Sequence, residues 1–219
     1  MSSIDRRVRA RAAVQEKILD AAREQFLAHG YESVSLRKIA EAIEYTPPAI
    51  YNHFKDKTEL LREMCRRDFA ALDEVFLSMA KVKDPVERVF RIGTSYIRFA
   101  HDHPKHYRFM FMTPGLSELA PPTEEDLAHM NDPDKDAYAF FVQTVREGVA
   151  AGRYRDEYAD AELSAQTLWA GVHGVAAIEV THSQCPFVKL APLEVRSRAM
   201  CAAVLRGMLK NPQEIEAFL

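Results

Sequence analysis

The stretch that decides the fold is EYTPPAIYNHFKDK, residues 44–57. Two prolines, Pro47 and Pro48, stand directly ahead of Ile50, Tyr51 and Phe54, which have helical spacing. Inside a helix proline is a breaker, but in the first turn it fits. The first N–H groups of a helix have no intrahelical acceptor, so a residue without an N–H loses nothing there, and its fixed φ suits the turn. Thr46 precedes a proline and is pushed toward the extended conformation of an N-cap. Pro47 also precedes a proline, which puts the predicted helix start one residue on, at Pro48. The prolines therefore read as a start signal.

Working outward, Val14, Ile18, Ala22 and Phe26 recur every four residues, with Leu19 and Leu27 beside them. Gly30 follows, where a left-handed helix end favours glycine. Ser35 opens a short helix carrying Leu36, Ile39, Ala40 and Ile43 at i, i+3, i+4 and i+7. Two short helices joined by a tight turn make a helix-turn-helix unit, whose second helix begins abruptly because its first turn faces DNA.

Downstream, Asp56 and Glu59 form a near capping box for a helix from Lys57 to about Ala80. Asp84, Pro85 and Glu87 repeat the signal, and Val86, Val89, Gly93, Tyr96 and Ala100 share a face behind it. Asp132 and Pro133 open another helix, closed by Gly152. Asp160 starts one through about His182, and Pro192 starts the last, ending near Asn211 and Pro212. Thr113 to Asn131 reads as the longest loop. With no alternation of period two, the expected fold class is all-α with about nine helices. The expected domains are residues 1–57, a helix-turn-helix unit with a basic N-terminal arm, and residues 58–219, a helical domain.

The chain has 219 residues, 47% of them hydrophobic, enough for a sizeable core. No apolar run reaches the roughly 18 residues of a membrane span. The opening MSSIDRRVRARAAVQEK has basic residues without an apolar stretch behind them, unlike a secretory signal. Cys65, Cys185 and Cys201 are odd in number and far apart, which suits reduced thiols in a cytoplasmic protein. Net charge is −3, unevenly spread. Residues 1–57 hold ten Lys/Arg and eight Asp/Glu, the remainder nineteen and twenty-four, and Arg6, Arg7, Arg9 and Arg11 crowd together. The asymmetry allows nucleic-acid binding by the front end, although a solvated tail gives the same pattern.

His101, His103 and His106 raise the question of a metal. Pro104 breaks the helix between them and no thiol or carboxylate pattern completes a site, so no metal and no cofactor are expected. There is no Gly-Xaa-Ser-Xaa-Gly elbow, phosphate-binding glycine loop or HExxH, and the chain reads as a non-enzyme.

The run ILDAAREQFLAHGYESVSLRKIAEAIEYTPPAIYNHFKDKTELL, residues 18–61, resembles the DNA-binding domain of TetR-family transcriptional regulators. The likeness is carried by Ala22, Phe26, Gly30, the SLRKIAEAI helix, IYNHF, and Lys57 followed by Glu59, Leu60 and Leu61. Three positions depart from the family pattern. Glu44 stands where the turn usually has glycine, at a cost of about 1 kcal/mol if its φ is positive. Pro48 stands where glycine is common and Ala49 where a hydroxyl is common. The resemblance implies that Thr46, Pro47, Pro48 and Ala49 start the recognition helix. Pro47, Pro48 and Ala49 would face the groove, where apolar groups touch a thymine methyl. Asn52 would reach a base edge or a phosphate. Tyr51 and His53 match phosphate-contacting positions, Lys57 in the first turn of its helix would share a phosphate with the N–H groups there, and Ser35 and Arg37 would hold the backbone on the other side. Tyr51 read as a core aromatic and His53 as a merely exposed side chain remain the plain alternatives.

The resemblance further implies a homodimer on a near-palindromic operator in double-stranded DNA, paired through the last two long helices. LWAGVHG, with Trp169, His173 and Gly174, resembles the Trp-His-Gly motif of one C-terminal class in the family. Trp169 and His173 share a helical face, as core residues or as the lining of a pocket. The expected effector pocket comprises Phe90, Tyr96, Phe99, Phe109, Tyr138, Phe141, Trp169 and His173, and would take a small hydrophobic or aromatic molecule. The expected function is a ligand-responsive repressor, with no membrane partner. The alternatives are a helical protein-interaction module without specific DNA binding, or an enzyme using His173.

Overall fold

A computed structural model of the chain describes residues 3–219; Met1 and Ser2 of the expected first domain lie outside the described residues. In chain order the helices are α1 (Ser3–His29), α2 (Leu36–Ala42), α3 (Pro47–Tyr51), α4 (Lys57–Leu77), α5 (Pro85–Asp102) and α6 (Pro104–Met112). They continue with α7 (Leu116–Leu119), α8 (Glu124–His129), α9 (Ala137–Ala150), α10 (Ala161–His182) and α11 (Leu193–Met208). Short 3-10 turns cover Ser78–Lys81, Asp156–Tyr158 and Pro212–Phe218. The fold is all-α, with eleven α-helices among the described residues against about nine expected.

The surplus lies in the segment expected to be the longest loop. Thr123 and Asp126 form a reciprocal capping box there and start α8, while Gly115 in a left-handed conformation precedes α7. Three boundaries also move. Helix α3 begins at Pro47, with Thr46 extended as its N-cap. Helix α9 begins at Ala137 rather than Pro133, because Asp136 supplies the cap and residues 132–136 close a turn on the Asp132 carbonyl. The basic N-terminal stretch expected as an arm is the beginning of α1. Asp84 caps α5 as expected by accepting from the Val86 and Glu87 amides, but Glu87 pairs forward with Arg91 instead of reaching back.

The chain forms two compact units. The first comprises residues 1–69 and 105–122, and the second residues 70–104 and 123–219. The expected boundary after residue 57 falls at the first residue of α4, a helix whose length is shared between the units.

The first unit is built around Ile18, Leu19, Ala22, Phe26, Leu36, Ile39, Ile50, Phe54, Leu60, Leu61, Met64 and Phe109. The four-residue stripe of α1 thus packs on α2, α3 and the first half of α4. Gly30 sits at φ +76, where a side chain would be strained, and ends α1. Under the apolar layer lies an ion cluster. Arg23 grips Asp68 with two bonds, 2.7 and 3.2 Å, and His106 Nδ1 lies 3.0 Å from the same carboxylate. Burying a charge is unfavourable unless it is paired, and these contacts pair it while tying α1, α4 and α6 together.

In the second unit α5 is buried along its length and packs on α9, α10 and α11. Gly93 permits the approach: a Cβ there would lie 2.8 Å from Cys201 Sγ and 3.2 Å from Val172 Cγ1. At the other end of α5, Glu179 of α10 accepts from Arg196 and lies 2.9 Å from His101 Nδ1.

Candidate nucleic-acid interface

Helix α2 is opened by Ser35, whose Oγ accepts from the Lys38 amide at 3.2 Å. Its end is turned by Glu44 at φ +59, the left-handed conformation for which glycine is the ordinary residue. That turn delivers the chain to α3. Ile50 and Phe54 are fully buried, anchoring α3 from below, while Thr46 and Pro48 are exposed and Pro47 and Ala49 half-buried. Tyr51 is 56% exposed and Asn52 is exposed, so Tyr51 is not a core aromatic. The helix has only five residues, and the part beyond its anchors is the apolar start Pro47–Ala49 followed by two polar side chains.

The remaining predicted residues divide. Arg37 is exposed and pairs with Glu41 one turn on at 3.0 Å, a contact that solvent screens and a phosphate can replace. His53 is half-buried, and among the described residues nothing bonds its buried Nδ1. Burial, and then the nearby Arg11 charge, lower its pKa below 6.5, so it is neutral at neutral pH. Lys57 is half-buried and turns inward. Its Nζ donates to the Tyr31 carbonyl at 2.8 Å and the Val34 carbonyl at 3.0 Å, and lies 3.9 Å from the Tyr31 ring centre. The ammonium thus supports the link between α1 and α2, a role that the sequence did not suggest.

Two cations that the motif did not single out hold the carbonyl ends of both short helices. Lys17 Nζ reaches the Ile43 carbonyl at 3.5 Å and lies over the Tyr45 ring, and an Arg11 N–H reaches the Asn52 carbonyl at 3.4 Å. Cations suit helix C-termini, where the backbone dipole is negative. Arg11 was visible only as a member of the arginine cluster, and Lys17 gave no signal at all.

In the second unit the expected pocket residues also divide. The Trp169 indole N–H donates to Tyr96 Oη at 3.3 Å, and Tyr96 Oη lies 2.9 Å from His173 Nδ1. Burial lowers the His173 pKa below 6.5, so the ring is neutral at neutral pH and its Nδ1 shares one proton with the Tyr96 hydroxyl. Tyr138 stacks edge-on to Trp169 with ring centres 6.0 Å apart and donates to Glu162 at 2.6 Å. Phe141 joins the group through Phe76 of α4, whose ring also faces Tyr96. Phe76 and Glu162 were missed: the first sits on α4, none of whose residues was expected in the pocket, the second in the first turn of α10. Three predicted residues stand apart. Phe90 packs near Phe218 and Arg198, and Phe99 near His103. Phe109 belongs to the core of the first unit, because α6 turns its apolar face there. That residue is removed from the pocket.

Among the described residues no helix is long and apolar enough to cross a membrane.

Residues 18–64 match the family model described as bacterial regulatory proteins, tetR family, and residues 89–195 match tetracyclin repressor-like, C-terminal domain. No Trp-His-Gly class is named by the second match. The HTH-type transcriptional repressor AcnR of Corynebacterium diphtheriae is 38% identical over 61 residues, 28% of this chain and 32% of that protein. The chain thus matches about a third of the length of such relatives. The HTH-type transcriptional repressor BepR of Brucella suis biovar 1 is 29% identical over 178 residues, 77% of this chain and 82% of that one. The crystal structure of the TetR family transcriptional regulator PfmR from Thermus thermophilus shares the fold at a TM-score of 0.69 and 24% identity, covering 86% of this chain and 97% of that one. With the two family models matching residues 18–64 and 89–195, the chain belongs to the TetR family of bacterial regulatory proteins.

Proposed function

We propose that this protein is a ligand-responsive transcriptional repressor that binds a near-palindromic operator as a homodimer. The observation that carries the reading is the start of α3, where Thr46 and Pro48 are exposed while Ile50 and Phe54 anchor the helix from below. In this reading Pro47, Pro48 and Ala49 touch base edges, apolar contact with a thymine methyl being their available chemistry. Thr46, Tyr51, Asn52 and neutral His53 flank them toward the phosphates, and Ser35 and Arg37 hold the backbone beside α2. One such short helix offers few base contacts, so specificity requires two copies, with equivalent helices about 34–36 Å apart or a multiple of that.

Dimerisation through α10 and α11 is supported by an open face on α10. Gly174 has nothing within 4 Å of an added Cβ, and Ile178 nearby is 46% exposed. The effector site is proposed around Tyr96, Tyr138, Phe141, Trp169 and His173, with Phe76. These aromatic walls and a bonded hydroxyl–imidazole–indole set suit a small hydrophobic or aromatic molecule. Effector binding would disfavour the DNA-competent state by a coupling of about 1–3 kcal/mol. Selection from a pool of random duplexes tests the reading. Enrichment of one near-palindrome is expected; a pool that stays random in dilute buffer would refute it and favour a protein-interaction module.

A further inference from the structure

The first turn of α9 is held from another helix. An N-cap side chain reaches the second or third amide of its helix, and Asp136 bonds the third, that of Ala139, at 2.6 Å. The first amide belongs to Ala137, which is 7% exposed, and an unpaired donor at such a position is costly. Asp73 of α4, 64 residues away in the chain, accepts it at 2.8 Å. The place is unfavourable for Asp73 itself. Burial raises its pKa above 3.8, opposed by the Ala137 amide and aided by the nearby Asp136 charge.

What this cap fixes is the next residue, Tyr138. Its hydroxyl donates to Glu162 of α10 at 2.6 Å, and its ring stands edge-on to Trp169 with centres 6.0 Å apart. Three residues on from Asp73, and so on the same face of α4, Phe76 meets Tyr96 and Phe141 with ring centres 6.3 and 6.5 Å apart. One face of α4 thus meets the ring set twice: through Phe76 at buried Tyr96, and through Asp73 at the turn that carries Tyr138. Tyr138 and Trp169 are 37% and 38% exposed, which makes theirs the side open to solvent. A ligand entering there displaces Tyr138, and the Ala137 amide moves with it.

We propose that Asp73 is a positioning residue of the effector site: by capping α9 from α4 it fixes Tyr138 against Trp169, and it makes α4 respond when Tyr138 is displaced. The inference rests on the effector reading above. The capped arrangement is the DNA-competent one, and a ligand that shifts Tyr138 breaks the cap.

Trp169 is the only tryptophan of the chain, so its emission reads the site directly. Acrylamide quenching of that emission is compared in the wild-type chain, D73A, D73N, Y138A and D73A/Y138A, together with affinity for the selected duplex. In D73A the quenching slope should steepen and the emission shift to the red, with duplex affinity falling about fivefold or more at unchanged sequence preference. D73N keeps an oxygen that accepts the Ala137 amide and should behave as wild type. Quenching in D73A/Y138A should match that in Y138A, because Asp73 acts through Tyr138; a merely structural role would add to it. Equal quenching or equal duplex affinity in D73A and wild type, or additive quenching in the double variant, would overturn the inference and leave the effector reading standing. Wild-type emission unmoved by saturating N-phenyl-1-naphthylamine, a neutral apolar probe, would remove the effector reading, and the inference with it.

Discussion

The candidate sites of the two units use their polar groups differently. In the first, cations turn inward to hold backbone: Lys57 on two carbonyls, Lys17 and Arg11 on helix ends. The surface left at α3 is mostly apolar or uncharged. In the second, Tyr96, Trp169 and His173 bond one another among aromatic rings. The first arrangement fixes where a short helix stands; the second keeps hydrogen-bonding capacity within an apolar setting. A reading surface needs rigid presentation, whereas a sensing site needs polar groups that can exchange partners.

The sharpest way to break this comparison is to strip each unit of its buried carboxylate. Asp68 is 1% exposed, and its partner Arg23 is 4% exposed. Asp68→Ala leaves that guanidinium only its contact with the exposed Asp20 and should destabilise the first unit by up to about 3–5 kcal/mol. The counterpart Glu179→Ala leaves Arg196 able to reach water and should cost the second unit clearly less. Thermal unfolding followed by amide exchange in each unit separates the two; equal losses would contradict the difference.

Next in size, Lys57→Ala removes the donor from two carbonyls and should lower the stability of the first unit by about 1–3 kcal/mol. The salt slope of DNA binding should stay as in wild type. A reduced slope with unchanged stability would restore Lys57 as a phosphate contact.

How much of this was legible follows from what each signal measures. The α3 start was readable because proline chemistry is local, and Ile50, Phe54 and the α5 stripe obey simple periodicity. The Glu44 turn was readable as a departure, and its φ of +59 bears it out. Phe109 was misplaced because periodicity says that a residue is buried but not against which unit. The inward bonds of Lys57 left no trace in the sequence because its partners, the Tyr31 and Val34 carbonyls, are more than twenty residues away. The α8 cap was overlooked although Thr123 and Asp126 have capping-box spacing, since prolines and acids around them suggested a loop.

A smaller effect tests the turn. Glu44→Gly relieves the left-handed strain but adds chain entropy to the unfolded state, so the net gain should be about 0.5–1 kcal/mol in the first unit. A loss in denaturant melts would mean that the Glu44 side chain contributes something beyond its backbone.

The smallest expected effects are in pH dependence, with one histidine in each unit. His53 and His173 both have pKa values below 6.5, chiefly from burial. Their unfolded forms bind more protons below pH 6.5, so each contributes a penalty that grows as pH falls from 6.5 through the folded pKa and is absent above. His53→Asn should flatten the acid-side slope of the first unit and His173→Asn that of the second. A slope that responds in the other unit, or in neither, would contradict these environments.

The central claim is that the start of α3 faces the base pairs. Ala49 and Ala139 are both third residues of their helices and both half-buried, one in each unit. Glutamate suits that helix position, so neither substitution should unfold its helix. Measured on the selected duplex, Ala49→Glu should weaken binding by roughly tenfold to a hundredfold, a loss of base contact compounded by repulsion. Ala139→Glu should leave affinity near wild type. Equal affinity for the two variants would contradict the account.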